Sequence, residues 1–210
     1  MRGRIYTRVY VVIIMLCTIL YGCTKQDRLN TPDFDLVESQ LQEGDLLFRR
    51  GMGFVGRVVT AADDIGAYSH VGIAIKDGDE WCVIHAVPSE PDFKGDVDRV
   101  KCESLRKFWS EQRAGNGCLY RVMHSDTTRS IAVANARRIY KKHTLFDHDY
   151  DLDDTTLLYC TELIEYVYGL AGVSLSEGRR SDVNFPSMSG SYIMPSDLTK
   201  SKFLKPIYSF

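Results

Sequence analysis

The 210-residue sequence has no hydrophobic run long enough to cross a membrane as a helix. Its longest apolar stretch, residues 10–21, falls short of the ~20 residues that a bilayer requires. It has no excess of either charge. Lys and Arg number 26 against 28 Asp and Glu, for a net charge of -2. The basic residues are spread along the chain without forming a stripe, which excludes a nucleic-acid-binding surface. Of the 6 cysteines, none stand in the closely spaced pairs of a zinc knuckle. Internal repeats and low-complexity stretches are absent. With 44% apolar residues, the chain can build one sizeable core. It is too short for two ordinary domains plus a leader.

What is present begins with Arg2, Arg4 and Arg8 ahead of that apolar run. Together they have the layout of a secretory signal peptide. The run ends in Leu20-Tyr21-Gly22-Cys23, which resembles a bacterial lipobox. That resemblance implies that residues 1–22 are a signal peptide cleaved before Cys23, and that Cys23 carries the lipid. The protein would then sit in the cell envelope, periplasmic or surface-facing, anchored to a membrane. The competing reading is a plain uncleaved anchor. Residues 23–40 are polar without a clear period and read as a tether, which leaves 41–210 for the domain. Cys17 departs with the signal, so Cys82, Cys102, Cys118 and Cys160 remain. Export permits disulfides, and the pairing of Cys82, Cys102 and Cys118 stays open.

Along the domain, Leu46-Leu47-Phe48 opens a strand, and residues 54–62 suit a short helix among Gly51, Gly53 and Gly56. Residues 68–75 alternate as a strand does, Asp77-Gly78 signals a hairpin, and 81–87 form its second arm. Residues 103–112 look helical, 119–123 extended, and 126–142 helical behind the cap residues Ser125 and Asp126. A helix over 161–170 is expected to turn Leu163, Ile164, Val167 and Leu170 inward and to end at Gly172. Strands and helices do not alternate strictly, which argues for an α+β domain.

With Asp77-Gly78 as the turn, His70 faces His85 on one side of the hairpin. Two imidazoles so close share at most one proton near neutrality. Gly72 lies on the same side and leaves room beside His70, whereas Val71, Ile73 and Ile75 face a core. Cys160 precedes an amphipathic helix, where the helix dipole favours the thiolate and a nearby histidine could take its proton. Taken alone, Cys160 reads better as a buried, inert cysteine.

Three segments decide between these readings. They are Glu43-Gly44-Asp45-Leu46-Leu47-Phe48, Tyr68-Ser69-His70-Val71-Gly72-Ile73, and the run from Phe146-Asp147-His148-Asp149-Tyr150-Asp151 to Leu158-Tyr159-Cys160-Thr161-Glu162-Leu163-Ile164, followed by Pro195-Ser196-Asp197-Leu198. Their order and spacing resemble the permuted papain-like enzymes, the YaeF/YiiX branch of the NlpC-type cell-wall peptidase superfamily. The resemblance implies a circularly permuted papain-like fold, with a small antiparallel sheet packed against helices and the histidine strand preceding the cysteine helix. It makes Cys160 the nucleophile, His70 the general base and His85 the third polar residue. Tyr68 and Tyr159 flank the two catalytic positions, either as hydrogen-bond donors to an oxyanion or as packing residues. Asp45 reads as a structural acceptor and Glu162 as a support for the helix start. No cofactor is implied.

The implied activity is cysteine-dependent hydrolysis of an amide or ester, with a cell-wall peptide or peptidoglycan as first choice of substrate. Acyl transfer or ester hydrolysis on acyl lipids or lipoamino acids is the alternative. A zinc site of His70, His85 and Cys160, or a non-catalytic scaffold, completes the range. Asp147, Asp149, Asp151 and Asp153 mimic an EF-hand loop, but Leu152 and Leu158 replace its glycine and closing glutamate, so calcium is not expected. Residues 88–95 and 52–66 are the candidate gates over the cleft.

Overall fold

The computed structural model describes residues 31–63, 65–185 and 188–210. The signal peptide and Cys23 lie outside the described residues. Six strands form one antiparallel sheet in the order β4-β3-β2-β1-β5-β8. These are β1 (Leu46–Gly51), β2 (His70–Asp77), β3 (Glu80–Val87), β4 (Arg99–Ser104), β5 (Ala114–Val122) and β8 (Leu204–Ser209). A separate hairpin pairs β6 (Ser181–Phe185) with β7 (Met188–Tyr192).

Alternation along the strands gives the sheet two apolar faces. Leu46, Phe48, Val71, Ile73, Ile75 and Ile84 point to one side. Against them pack Ala132, Val133, Ala136 and Ile139 of α4 (Asp126–Lys141) and Leu163, Ile164 and Val167 of α5 (Cys160–Gly169). Ser125 caps α4 by accepting the Thr128 N–H at 3.2 Å. Leu47, Ala74, Val83 and Leu119 face the other way, onto Val37, Leu105, Phe108 and Trp109. Trp109 is pinned there by its Nε1–H donating to the Phe48 carbonyl at 3.0 Å. Four shorter helices complete the described residues: α1 (Phe34–Gln40), α2 (Phe54–Ala62), α3 (Leu105–Phe108) and α6 (Pro195–Thr199). Leu170, just past the end of α5, is exposed rather than turned inward.

Three further sequence expectations change. The tether does not extend to residue 40, because α1 is capped by Asp33 and buries Val37 completely. Phe34, Val37 and Leu41 recur at helical spacing and pack into one cluster, a short period set in a polar stretch. Residues 103–112 are not one helix: β4 runs through Ser104, and α3 takes up only four residues. The hairpin register also moves by two. Asp77 pairs with Glu80 and Ala74 with Val83, so Gly78-Asp79 is the turn. Gly78 stands first in it with φ +60°, as a type II′ turn requires, while Asp79 keeps a negative φ. A shift of two preserves side-chain parity. His70 and His85 therefore stay on one face, offset diagonally rather than directly opposed.

Candidate active site

Cys160 is the first residue of α5 and is half-buried. The backbone amides of Val71, Thr161 and Cys160 itself lie around the sulfur. The helix start is held by the Tyr159 N–H, which donates to Glu162 Oε2 at 3.2 Å, and by Thr161 Oγ1, which donates to the Ile193 carbonyl at 2.6 Å. Burial pushes the thiol up to about 11; those amides and the charge of Arg49 pull the other way and lose. The resting thiol is therefore neutral at physiological pH. The helix dipole does not produce a thiolate here, because dehydration outweighs it.

His70 opens β2 and lines the same small cavity as Cys160, a space of about 40 Å³ walled by Val55, Val59, Tyr159 and Tyr192. The two residues approach from opposite faces of the sheet and meet at its rim. His70 Nε2 lies 2.8 Å from His85 Nδ1. Only Nδ1 of His70 then remains for another partner. Burial, followed by Arg49, the neighbouring His85 ring and Arg113, holds His70 well below the usual histidine range, so it too is neutral at rest.

Gly72 does not leave open space. A Cβ there would meet Val83 Cγ1 at 2.4 Å and His85 Cβ at 3.0 Å, because His85 already occupies the gap. Phe108 roofs the pair, its ring centroid 5.8 Å from His70 and 5.1 Å from His85.

The face carrying the histidines holds buried polar residues from four adjacent strands: Arg49, His70, His85, and from β4 both Lys101, directly opposite His85, and Glu103. Sequence reasoning missed Arg49, Lys101 and Glu103. Arg49 pairs with His70 across β1 and β2, stacks on Phe108 at 4.6 Å, and donates to the Phe108 carbonyl at 3.0 Å and to Glu90. Glu103 Oε1 lies 3.1 Å from His85 Nε2, close but imperfectly aligned with the ring N–H. Arg113 Nη1 donates to both Glu103 oxygens at 2.9 and 2.7 Å and to Glu90 at 2.6 Å. The pattern of buried charge on β4 was the one available signal, and a helical reading of that segment concealed it.

The tyrosines separate. Tyr159 lines the Cys160 cavity, with its hydroxyl accepting the Ile193 N–H at 3.1 Å. Tyr68 packs on Phe48 at 5.6 Å beside Cys118, and lines neither cavity bounded by His70. Asp45 is the structural acceptor expected, taking the Gln42 N–H at 2.8 Å, and it also binds Arg121 at 2.8 Å. Cys82, Cys102, Cys118 and Cys160 are free thiols. In the acidic loop both Asp147 oxygens accept backbone N–H groups, from Asp149 at 2.8 Å and Asp151 at 2.6 Å. Among the described residues no group of three or more His, Cys, Asp or Glu could hold a metal ion.

The model of the permuted papain-like amidases, YaeF/YiiX, C92 family, matches residues 40–205. The chain belongs to that family. The amidase family makes it a papain-like cysteine hydrolase, and the permuted order has the structural correlate seen here, with the His70 strand far ahead of the Cys160 helix. Its fold is also that of the metalloprotein YiiX from Escherichia coli O157:H7, with a TM-score of 0.66 at 19% identity over 81% of this chain and 98% of that one. No curated protein matches the chain.

Next to Cys160, Glu162 offers a test of the helix start. Burial, reinforced by Asp147, Asp154 and Asp151 and opposed by the Tyr159 N–H, pushes its carboxyl up to about 8. Between its ordinary 4.5 and about 8, the folded protein keeps a proton that the unfolded chain releases. Stability therefore falls as pH rises through that window. Glu162→Gln keeps the acceptor for Tyr159 and removes the titration. Thermal unfolding should show it more stable than wild type at pH 8, by on the order of 2–4 kcal/mol, and equal to wild type below pH 4.5. A constant difference across that range would mean that Glu162 is ionised in the fold.

Proposed function

We propose that Cys160, His70 and His85 form the catalytic centre of an envelope-anchored amidase that releases a polar amine from a short acyl or aminoacyl group, as in a cell-wall peptide. The observation that carries this reading is the shared cavity of Cys160 and His70, with His70 Nε2 already committed to His85. The Cys160 sulfur attacks the amide carbonyl as its proton passes to His70 Nδ1. The oxyanion is met by the Cys160 backbone N–H at the helix start. His70 then protonates the departing amine, and water, with His70 again as base, clears the thioester.

Two cavities support the division of the substrate. The enclosed slot at Cys160, about 40 Å³, is apolar and takes the acyl side. A second cavity of about 440 Å³ is lined by His70 but not by Cys160, with Arg49, Glu90, Gln112 and Arg113 around it. Because His70 delivers the proton to the leaving group, the amine belongs on that polar side. The basic start, the apolar run and Cys23 support the envelope address and the lipid anchor.

The slot is too small for a long acyl chain unless α2 lifts away. No residue of α2 is buried, and Phe54 is 76% exposed. A series of substrates with one polar amine and acyl groups from acetyl to palmitoyl tests the reading. Specificity should fall by about 10-fold or more between the short and the long members. A rise with chain length would favour acyl lipids or lipoamino acids instead. A zinc site does not fit these residues, because a short His70–His85 hydrogen bond needs a proton where the metal would bind both rings. Activity should survive a chelator; loss that zinc restores would support the metal reading.

A further inference from the structure

The geometry points to Glu103 as the positioning residue that fixes the tautomers of both histidines, an inference resting on the catalytic reading above. Glu103, His85 and His70 stand in one line, with contacts of 3.1 and 2.8 Å between them. Glu103 is nearly buried, yet its carboxyl is held well below the usual carboxylate range. Burial opposes this, and His85, Arg113 and Arg49 outweigh it. An ionised carboxylate can only accept. His85 Nε2, 3.1 Å away, must therefore carry the proton. In a neutral ring this leaves a lone pair on His85 Nδ1, which accepts from His70 Nε2–H at 2.8 Å. His70 Nδ1 is then the free lone pair, the nitrogen able to take the Cys160 proton. When it does, the imidazolium charge is met through His85 by Glu103. The proton on His85 Nε2 stays where it is, and no bond in the relay is broken.

Arg113 and Lys107 set the direction of this line. Arg113 Nη1 reaches both Glu103 oxygens, and Lys107 Nζ lies 3.2 Å from Oε2. Both can only donate. In Glu103→Gln, these cations draw the single amide oxygen to themselves and turn the amide NH₂ toward His85. His85 Nε2 must then accept, its Nδ1 carries the proton, His70 Nε2 accepts, and His70 Nδ1 is left protonated. The base faces the thiol in the wrong tautomer. Glu103→Ala imposes no direction on either ring.

A residue that merely packs behaves in the opposite order, with the isosteric Gln tolerated and Ala damaging. The experiment compares Glu103→Gln, Glu103→Ala and Glu103→Asp by kcat and KM, and reads the histidine tautomers by nitrogen-15 NMR. The expected result is a kcat at least about 100-fold lower in Glu103→Gln, with KM little changed and Glu103→Ala no worse. Glu103→Asp should recover part of the rate. The NMR spectrum should place the His70 proton on Nε2 in wild type and on Nδ1 in Glu103→Gln. Near-wild-type kcat in Glu103→Gln, or unchanged tautomers, overturns the proposal. The NMR readout does not depend on turnover, so it stands even where the amidase assignment fails.

Discussion

Cys160→Ala should abolish amide hydrolysis, and His70→Ala should lower it by on the order of 10⁴-fold, while Cys160→Ala leaves the unfolding temperature close to wild type. The sulfur makes no hydrogen bond that holds the fold together; the helix start rests on Glu162 and Thr161. The reactivity of the thiol should be unlike that of a preformed ion pair. Burial puts it near 11 and keeps His70 neutral, so both partners rest uncharged. Alkylation of Cys160 by iodoacetamide, followed by mass spectrometry with Cys82, Cys102 and Cys118 tracked separately, should be slow at pH 7 and climb through pH 10. Turnover should nevertheless proceed at pH 7, because His70 removes the proton as the bond to carbon forms. Rapid labelling below pH 7 would show a thiolate already present and sink this account of the resting state. Hydrolysis undiminished in Cys160→Ala would sink the nucleophile assignment itself.

Much of this site could be read from the sequence, because short-range patterns determine much of it. Alternation along 68–75 and 81–87 put both histidines on one face. That survived a register error of two, since faces depend on parity and contacts on register. The helix after the acidic loop begins at Cys160 itself. The remainder depends on long-range contacts. Arg49 and Glu103 are charged residues that would ordinarily be assigned to the surface. They are buried because Glu90 and Arg113, from two other segments, and Lys107, four residues beyond Glu103, converge on them. The partners that matter most are distant in sequence, and the local neighbours Arg106 and Lys107 suggest an exposed helix. Tyr68 and Tyr159 looked equivalent beside their catalytic neighbours. One turns toward Phe48 and Cys118, the other toward the slot, and only tertiary packing separates them.

Gly72→Ala should damage both stability and catalysis, although it adds one methyl group and no charge. The backbone of Gly72 has no positive φ, so alanine faces no conformational penalty there. Its obstacle is steric. The new Cβ would stand 2.4 Å from Val83 Cγ1 and 3.0 Å from both His85 Cβ and the Ile84 carbonyl oxygen. Val83 is fully buried against Leu47, Ala74 and Phe108 and has little room to retreat. The Ile84 oxygen belongs to the sheet backbone. The strain therefore falls on Val83 and His85, at about 1–3 kcal/mol of stability. A small displacement of His85 lengthens the 2.8 Å contact to His70 and loosens its hold on Glu103 together. The rate should fall by about 100-fold, more than the stability loss alone would cause in a protein still folded at the assay temperature. Gly169→Ala is the control: that glycine ends α5, is exposed, and has nothing within 4 Å of an added Cβ. It should leave both properties unchanged or slightly raise stability. If Gly72→Ala loses stability but keeps its rate, His85 can move without disturbing the base, and the orientation of His70 must be set by Arg49 and Phe108 instead.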